Sequence, residues 1–209
     1  MRLVKKIFIK ILYIWNKRRF PNIDKKSSLH YSAIVSNPKN LYMAENTSIA
    51  GGAVIMNTRA NFIMKKWSGA AIDFLVVTGN HLSVVGKNLK QVTDKVKDEI
   101  DINHKMDQDV VVDEDVWIGS RVTLLSGAHV GRGCEIGSNA VIRGTIPPYS
   151  IVVGNPAKVI GFRFTPEEII EHEIALYDEE DRLPLELLEK NYQKFFFNRT
   201  KEINSYLKI

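Results

Sequence analysis

From Val112 onward, an aliphatic side chain returns at every sixth residue: Val112, Ile118, Leu124, Val130, Ile136 and Ile142. Four positions after each stands another small or aliphatic residue: Val116, Val122, Ala128, Cys134, Ala140 and Ile146. Gly119, Gly131 and Gly137 directly follow an aliphatic residue, while Gly127, Gly133 and Asn139 occupy positions suited to left-handed backbone. Six is neither the 3.6 of a helix nor the 2.0 of a strand. It is the period of a short strand, a corner and the next short strand. The aliphatic residue of each hexad then fills an interior, and the smaller one lies near the corner, where space is tight. The pattern predicts a parallel β-helix. An antiparallel sheet would have to match the period on two positions, six times in succession, by chance.

A weaker copy precedes it. Met43, Ile49 and Ile55 are six apart, with Thr47 and Ala53 four after the first two. The phase then changes. Residues 61–75 fit poorly, and Val76 and Leu82 return to the later phase. The coil is therefore expected to start near residue 30 and to contain an irregular stretch. Residues 86–109 interrupt it, carrying six acidic residues and five lysines. So polar a segment cannot be a packed rung, and a loop projecting from the coil is expected. The ends read as helical. Leu3, Val4, Ile7, Phe8, Ile11, Leu12 and Trp15 follow helical spacing, giving an amphipathic helix over residues 1–20. Thr165-Pro166-Glu167-Glu168 reads as an N-cap, a first-turn proline and a capping-box carboxylate. Residues 185–207 carry a second helical pattern, with Leu187, Leu188, Tyr192 and Phe195 on one side. The organisation expected is thus 1–20 N-terminal helix, 30–164 coil with its loop at 86–109, and 165–209 helical extension.

Charge narrows the function classes. The 209 residues carry a formal net charge of +5, but residues 1–30 hold nine basic groups against one acidic group, and residues 165–209 hold eleven acidic against six basic. The positive excess belongs to the N-terminus and is not a basic binding face. No nucleic-acid signature accompanies it, and no nucleic-acid partner is expected. The basic helix leaves two readings: packing on the end of the coil, or lying on an anionic membrane surface. No stretch approaches the roughly 18 uncharged apolar residues of a spanning helix. The one cysteine, Cys134, allows no intramolecular disulfide and no thiolate metal cluster. A reducing compartment fits, so a cytoplasmic protein is expected, free or at the inner membrane surface.

The run Asp115-Val116-Trp117-Ile118-Gly119-Ser120, followed by Pro147-Pro148-Tyr149-Ser150-Ile151-Val152-Val153-Gly154-Asn155-Pro156-Ala157-Lys158-Val159-Ile160, closely resembles the hexapeptide-repeat acyltransferases. The nearest groups are the maltose/galactoside, xenobiotic and capsule or lipopolysaccharide O-acetyltransferases. Val77-Thr78-Gly79-Asn80-His81 is similar to their catalytic-histidine segment. The likeness covers residues 32 to 164 and is specific for the superfamily, not for a substrate. It implies a mainly β fold built on a left-handed coil, a homotrimer, and acetyl-CoA lying between adjacent subunits as co-substrate. The implied reaction is direct acetyl transfer to a hydroxyl of a sugar or polysaccharide precursor. Acetylation of an antibiotic or of an amino-sugar nitrogen stays open, as does a non-catalytic scaffold.

Such a transfer needs a base for the attacking hydroxyl, a donor for the oxyanion, and alignment of two substrates. A neutral imidazole suits the first task, and the resemblance assigns it to His81. His104, in the loop, and Asn80 are candidates for touching the acceptor, as are Asn57 and Asn61 by loose alignment with the family. Trp117 precedes an inward aliphatic and therefore points outward. By resemblance it lies beside the histidine and the acetyl-bearing arm. Gly119, Ser120 and Ser138 match positions along that arm. Arg143 and Gly144 stand where many relatives have Thr-Lys, which leaves position 144 without a side-chain contact. Lys158, assisted by Arg163, matches a basic site near the nucleotide phosphates. Cys134 takes a small inward position and reads as core. A zinc site of the kind γ-class carbonic anhydrases build on this coil would need three histidines, two of them close in sequence. The spacing here does not supply them, and no metal is expected.

Overall fold

The computed structural model describes residues 19–208 together with Ile7 and Ile11. The helix expected over residues 1–20 falls almost wholly outside the described residues. The chain from Ser28 winds as a three-faced coil. The first face stacks β1 (Ser28–Leu29), β4 (Ser48–Ile49), β7 (Gly69–Ala70), β10 (Trp117–Ile118), β13 (Glu135–Ile136) and β16 (Ser150–Val153). The second stacks β2 (Ile34–Val35), β5 (Val54–Met56), β8 (Leu75–Val77), β11 (Thr123–Leu124) and β14 (Val141–Ile142). The third stacks β3 (Leu41–Met43), β6 (Phe62–Met64), β9 (Val110–Val112), β12 (His129–Val130) and β15 (Thr145–Ile146). All pairs are parallel until β17 (Lys158–Phe162) closes the first face in antiparallel pairing with β16. This architecture fits the left-handed β-helix of hexapeptide-repeat proteins.

The hexad pattern is realised as the sequence predicts. Val112, Ile118, Leu124, Val130, Ile136 and Ile142 are buried in the interior, two on each face, with Val116, Val122, Ala128, Cys134 and Ala140 buried at the corners; Ile146 departs from the pattern and stacks on Val130 in a strand. Positive φ recurs at Asp115, Arg121, Gly127, Gly133 and Asn139, one residue before each corner residue. Stacked coils also approach closely: a Cβ on Gly119 would lie 2.7 Å from the Ser138 nitrogen.

Residues 61–75, expected to be irregular, are regular rungs. Phe62, Met64, Ala70 and Phe74 are all buried. The phase change comes from coil length. Ile118 pairs with Ile136 and Leu124 with Ile142, 18 residues apart. Met43 pairs with Met64 and Ile55 with Val76, 21 apart. The added residues leave at one place, the corner from the second face to the third. There the chain takes a short 3-10 turn at Pro38–Asn40, a longer bend through Asn57–Asn61, and then the whole segment from Thr78 to Asp109. That last segment, expected as a loop, contains helix α1 (Asp94–Ile100), capped by the Thr93 hydroxyl.

After the coil, α2 (Pro166–Leu176) begins with the predicted capping box between Thr165 and Glu168. The second helical pattern is broken into α3 (Leu185–Phe195) and α4 (Thr200–Leu207). Phe196 leaves helical geometry at φ −127, ψ −70, ending α3. A buried polar clasp fixes α2 to the coil. The wholly buried Glu173 accepts the Tyr149 hydroxyl at 2.5 Å, Arg132 Nη1 at 2.8 Å and the Leu183 N–H at 3.0 Å. The Arg132 guanidinium also lies 3.8 Å from the Tyr177 ring centre. Burial, then the hydrogen bond to Glu173, pushes the Tyr149 phenol far above its ordinary range, so it remains a donor.

The buried interior carries the coil's stability. Leu124→Ala, at a site with no solvent exposure, is expected to destabilise the fold by about 2–5 kcal/mol. Denaturant unfolding monitored by circular dichroism measures it.

Candidate active site

The corner that collects the extra residues also makes a cleft of about 450 Å³. Met56, Thr58 and Arg59 line it from one coil, Val77 to Leu82 from the next, and Val92, Asp94, Lys97 and Asp107 from the insertion. His81 is exposed in it, and Asn80 stands beside it. The Asn80 N–H donates to the Met106 carbonyl at 2.7 Å. Lys97 Nζ donates to the Asn80 carbonyl at 2.8 Å and to Asp107 Oδ1 at 2.7 Å. Arg59 Nε donates to Asp107 Oδ2 at 2.8 Å, and its guanidinium also contacts Asp98. The hydrogen bond to Asp98 is the main cause holding the Arg59 guanidinium above its ordinary pKa.

Asn57, expected to touch an acceptor, does not line the cleft. It is fully buried, and its amide pairs with both backbone groups of Asn37 at 3.0 and 2.9 Å. Burial without these bonds would be costly, so the corner itself uses this side chain. Asn61 has its backbone N–H and side chain on the Asp109 carboxylate. His104 lies with Arg59 and Asp107 beside a separate hollow of about 280 Å³.

Trp117 points outward at 58% exposure. It does not border the His81 cleft. It stands on the first face over Gly69, whose hypothetical Cβ would contact the indole at 3.5 Å. A groove of about 560 Å³ runs beside it past Ser28, Ser48, Ala70, Ile72 and Ser120. Within one chain, His81 and Trp117 therefore serve different hollows.

The remaining expected contacts are scattered. Gly119 is buried, and its lack of a side chain is required by the coil above. Ser138 and Arg143 are exposed, and Gly144 is half-buried at φ +78. Lys158 Nζ sits 3.8 Å from Glu202 and 4.8 Å over the Tyr206 ring, both on α4. Arg163 bonds Asp115 Oδ2 at 2.8 Å and the Gly133 carbonyl at 3.0 Å, joining the strand after the coil to a corner. Cys134 is fully buried, and burial pushes its thiol up to about 12. His129, outward as expected, donates from Nε2 to Asp113 Oδ2 at 2.8 Å. Among the described residues, no three His, Cys, Asp or Glu side chains converge as metal ligands would, and no helix is long and apolar enough to cross a membrane.

Sequence reasoning missed Thr58, Arg59, Asp94, Lys97 and Asp107 in the cleft. The signal available was the length of the insertion. Which of its charges turn inward depends on how α1 folds back.

Comparison with known proteins agrees with this architecture. The family model "Bacterial transferase hexapeptide (six repeats)" matches residues 109–144. Chloramphenicol acetyltransferase of Escherichia coli is 49% identical over 61 residues, 29% of each chain. The putative lipopolysaccharide biosynthesis O-acetyl transferase WbbJ of Escherichia coli K12 is 45% identical over 51 residues, 24% of this chain and 25% of that one. The matched stretches span less than a third of these relatives' own lengths. Among solved structures, the hexapeptide-repeat acetyltransferase VCA0836 of Vibrio cholerae, complexed with acetyl-CoA, superposes with a TM-score of 0.58. It does so at 19% identity, over 72% of this chain and 75% of that one. The chain thus carries a bacterial transferase hexapeptide repeat over residues 109–144 and, in its fold and over short stretches of sequence, is similar to hexapeptide-repeat acetyltransferases.

Proposed function

We propose that this protein transfers acetyl from acetyl-CoA directly to a hydroxyl of a sugar or polysaccharide precursor, with His81 as general base, in a site shared between copies of the chain. One observation carries the reading. His81 stands exposed in a cleft of mixed polar and apolar lining at one corner of the coil, while the outward Trp117 stands on another face of the same chain. A second copy bringing its Trp117 groove to the first copy's His81 corner would complete a two-substrate site. The outward row Ile34, Val54, Leu75, Thr123 and Val141, in register along the second face, offers such a copy an apolar contact.

In the step proposed, His81 takes the proton as the acceptor oxygen attacks the thioester carbonyl. The tetrahedral intermediate collapses with cleavage of the C–S bond. The departing thiolate takes up the proton held by the His81 imidazolium, leaving the ester, CoA and a neutral His81. The acceptor cleft sets hydroxyls, one amide and both signs of charge, from Thr58, Asn80, Arg59 and Asp94 among others, beside apolar Met56, Leu82 and Val92; the polar groups support a polyhydroxylated acceptor. Ser120, Ser138, Arg143, Gly144 and Lys158 are proposed to follow the CoA arm toward its nucleotide end, with Lys158 released from Glu202 as it meets phosphate. Domain roles follow: the coil carries the chemistry, and residues 165–209 brace its end.

His81→Ala is expected to reduce acceptor-dependent CoA release by about 10²- to 10⁴-fold across a panel of sugars, amino-sugars and antibiotics. Unchanged release would refute His81 as the base, and the responding acceptor class separates O- from N-acetylation. Coexpression of His81→Ala with Trp117→Ala chains should restore activity to mixed oligomers. About a quarter of sites regain both groups on random mixing. No recovery, with each variant inactive alone, would place both groups in one chain's site. The reaction needs no acyl-cysteine. With its thiol near 12, Cys134 carries a thiolate fraction at pH 8 about a thousandfold below that of a cysteine of ordinary pKa 9.0. Iodoacetamide should leave it unmodified until the protein unfolds, and Cys134→Ala should retain turnover.

A further inference from the structure

The insertion after β8 is tied back onto the segment that precedes His81, and the tie is built around a buried lysine. Lys97 is the most enclosed lysine among the described residues, at 9% exposure. Lysine is almost never buried unless paired. Its nitrogen spans two partners, the Asn80 carbonyl at 2.8 Å and Asp107 Oδ1 at 2.7 Å. Asp107, with its side chain 7% exposed, passes the interaction to Arg59 Nε at 2.8 Å. Its carboxylate also fills the space where a side chain at Gly79 would collide with it. The turn that presents Met106 and Asp107 is itself fixed. The Asp101 carboxylate accepts the Met106 and Lys105 N–H groups at 2.7 and 2.9 Å, and the first of these holds it below its usual pKa.

The two bonds at Asn80 act on different peptide groups. The Asn80 N–H, donated to the Met106 carbonyl, fixes the plane between Gly79 and Asn80. The Asn80 carbonyl, held by Lys97, belongs to the plane that leads into His81. A buried ion pair adds little net stability over apolar packing, but removing one partner leaves the other uncompensated. The pair thus acts mainly on geometry.

We infer that Lys97 is a positioning residue. Anchored by Asp107 and Arg59, it orients the Asn80–His81 peptide and so aims the imidazole into the cleft. The inference rests on the reading of His81 as the base. A base misplaced by about 1 Å loses on the order of 10²-fold in rate, so the lysine would control turnover through the peptide that it holds.

The test compares Lys97→Met, Lys97→Arg, His81→Ala and the Lys97→Met/His81→Ala double variant in the full chain. Hydrogen exchange of peptides covering residues 78–85 should accelerate at least tenfold in Lys97→Met, and Lys97→Arg should largely restore protection. Peptides from the 117–146 rungs should not change in either, which separates a local effect from misfolding. In turnover, Lys97→Met should lower kcat by about tenfold or more with KM for acetyl-CoA unchanged. The same substitution on the His81→Ala background should cost nothing further. Unaltered exchange at 78–85, a loss confined to KM, or an undiminished loss on the His81→Ala background would each overturn the positioning role. Full activity of His81→Ala would instead overturn the base assignment, and the exchange result would still decide whether Lys97 orders the segment.

Discussion

Successive coils of this protein must lie one β-ladder spacing apart, about 4.8 Å, along all three faces. That constraint governs the rest. It demands an inward aliphatic residue at each strand, because nothing else fills the narrow interior without leaving a void. It demands small residues at the corners and left-handed backbone just before them, as at Gly127, Gly133 and Asn139. It also excludes a side chain at Gly119, where the next coil's backbone comes too close. A face cannot absorb an extra residue without reversing which side chains point inward. Extra residues can leave the ladder only at corners.

The molecule uses mainly one corner for this, between the second and third faces. Three successive coils widen there, by a short turn at Pro38–Asn40, a bend at Asn57–Asn61 and the long insertion after Val77. The cleft holding His81 is the space between those bulges. The regular part of the ladder thus acts as a backing for irregular chain, and the corner is held by side-chain bonds such as those of Asn57 to the Asn37 backbone. On the proposed reading, the same division explains why one chain holds only half the chemistry. The corner that departs from the ladder carries the base, whereas Trp117 sits on a face that stays within it.

Charge is used in two distinct ways. Around Glu173, a buried carboxylate and phenol meet the partly buried Arg132 guanidinium, joining the helical extension to the coil. Around Asp107, the ion pairs stand at the wall of the cleft and bear on backbone beside His81. Arg163 belongs with the first group. Its bonds to Asp115 and Gly133 carry a bracing function that its place in a binding motif did not suggest.

What the sequence by itself determined is the coil. The inward aliphatic residues, the corner residues, the capping box at Thr165 and the outward stance of Trp117 all follow from local spacing, because each is settled by neighbours within one or two hexads. The weak phase of residues 61–75 hid regular rungs, since a ladder tolerates coils of 16, 18, 20 or 21 residues while a fixed period does not. The second helical pattern likewise ran past Phe196, where only backbone geometry marks the break. Tertiary structure alone decided the contents of the cleft. It withdrew Asn57 into the corner, brought Lys97 and Asp107 from within the insertion to the segment before His81, and set His81 and Trp117 on different hollows. Those placements depend on contacts between residues 10 to 48 positions apart, across a segment with no repeat to read.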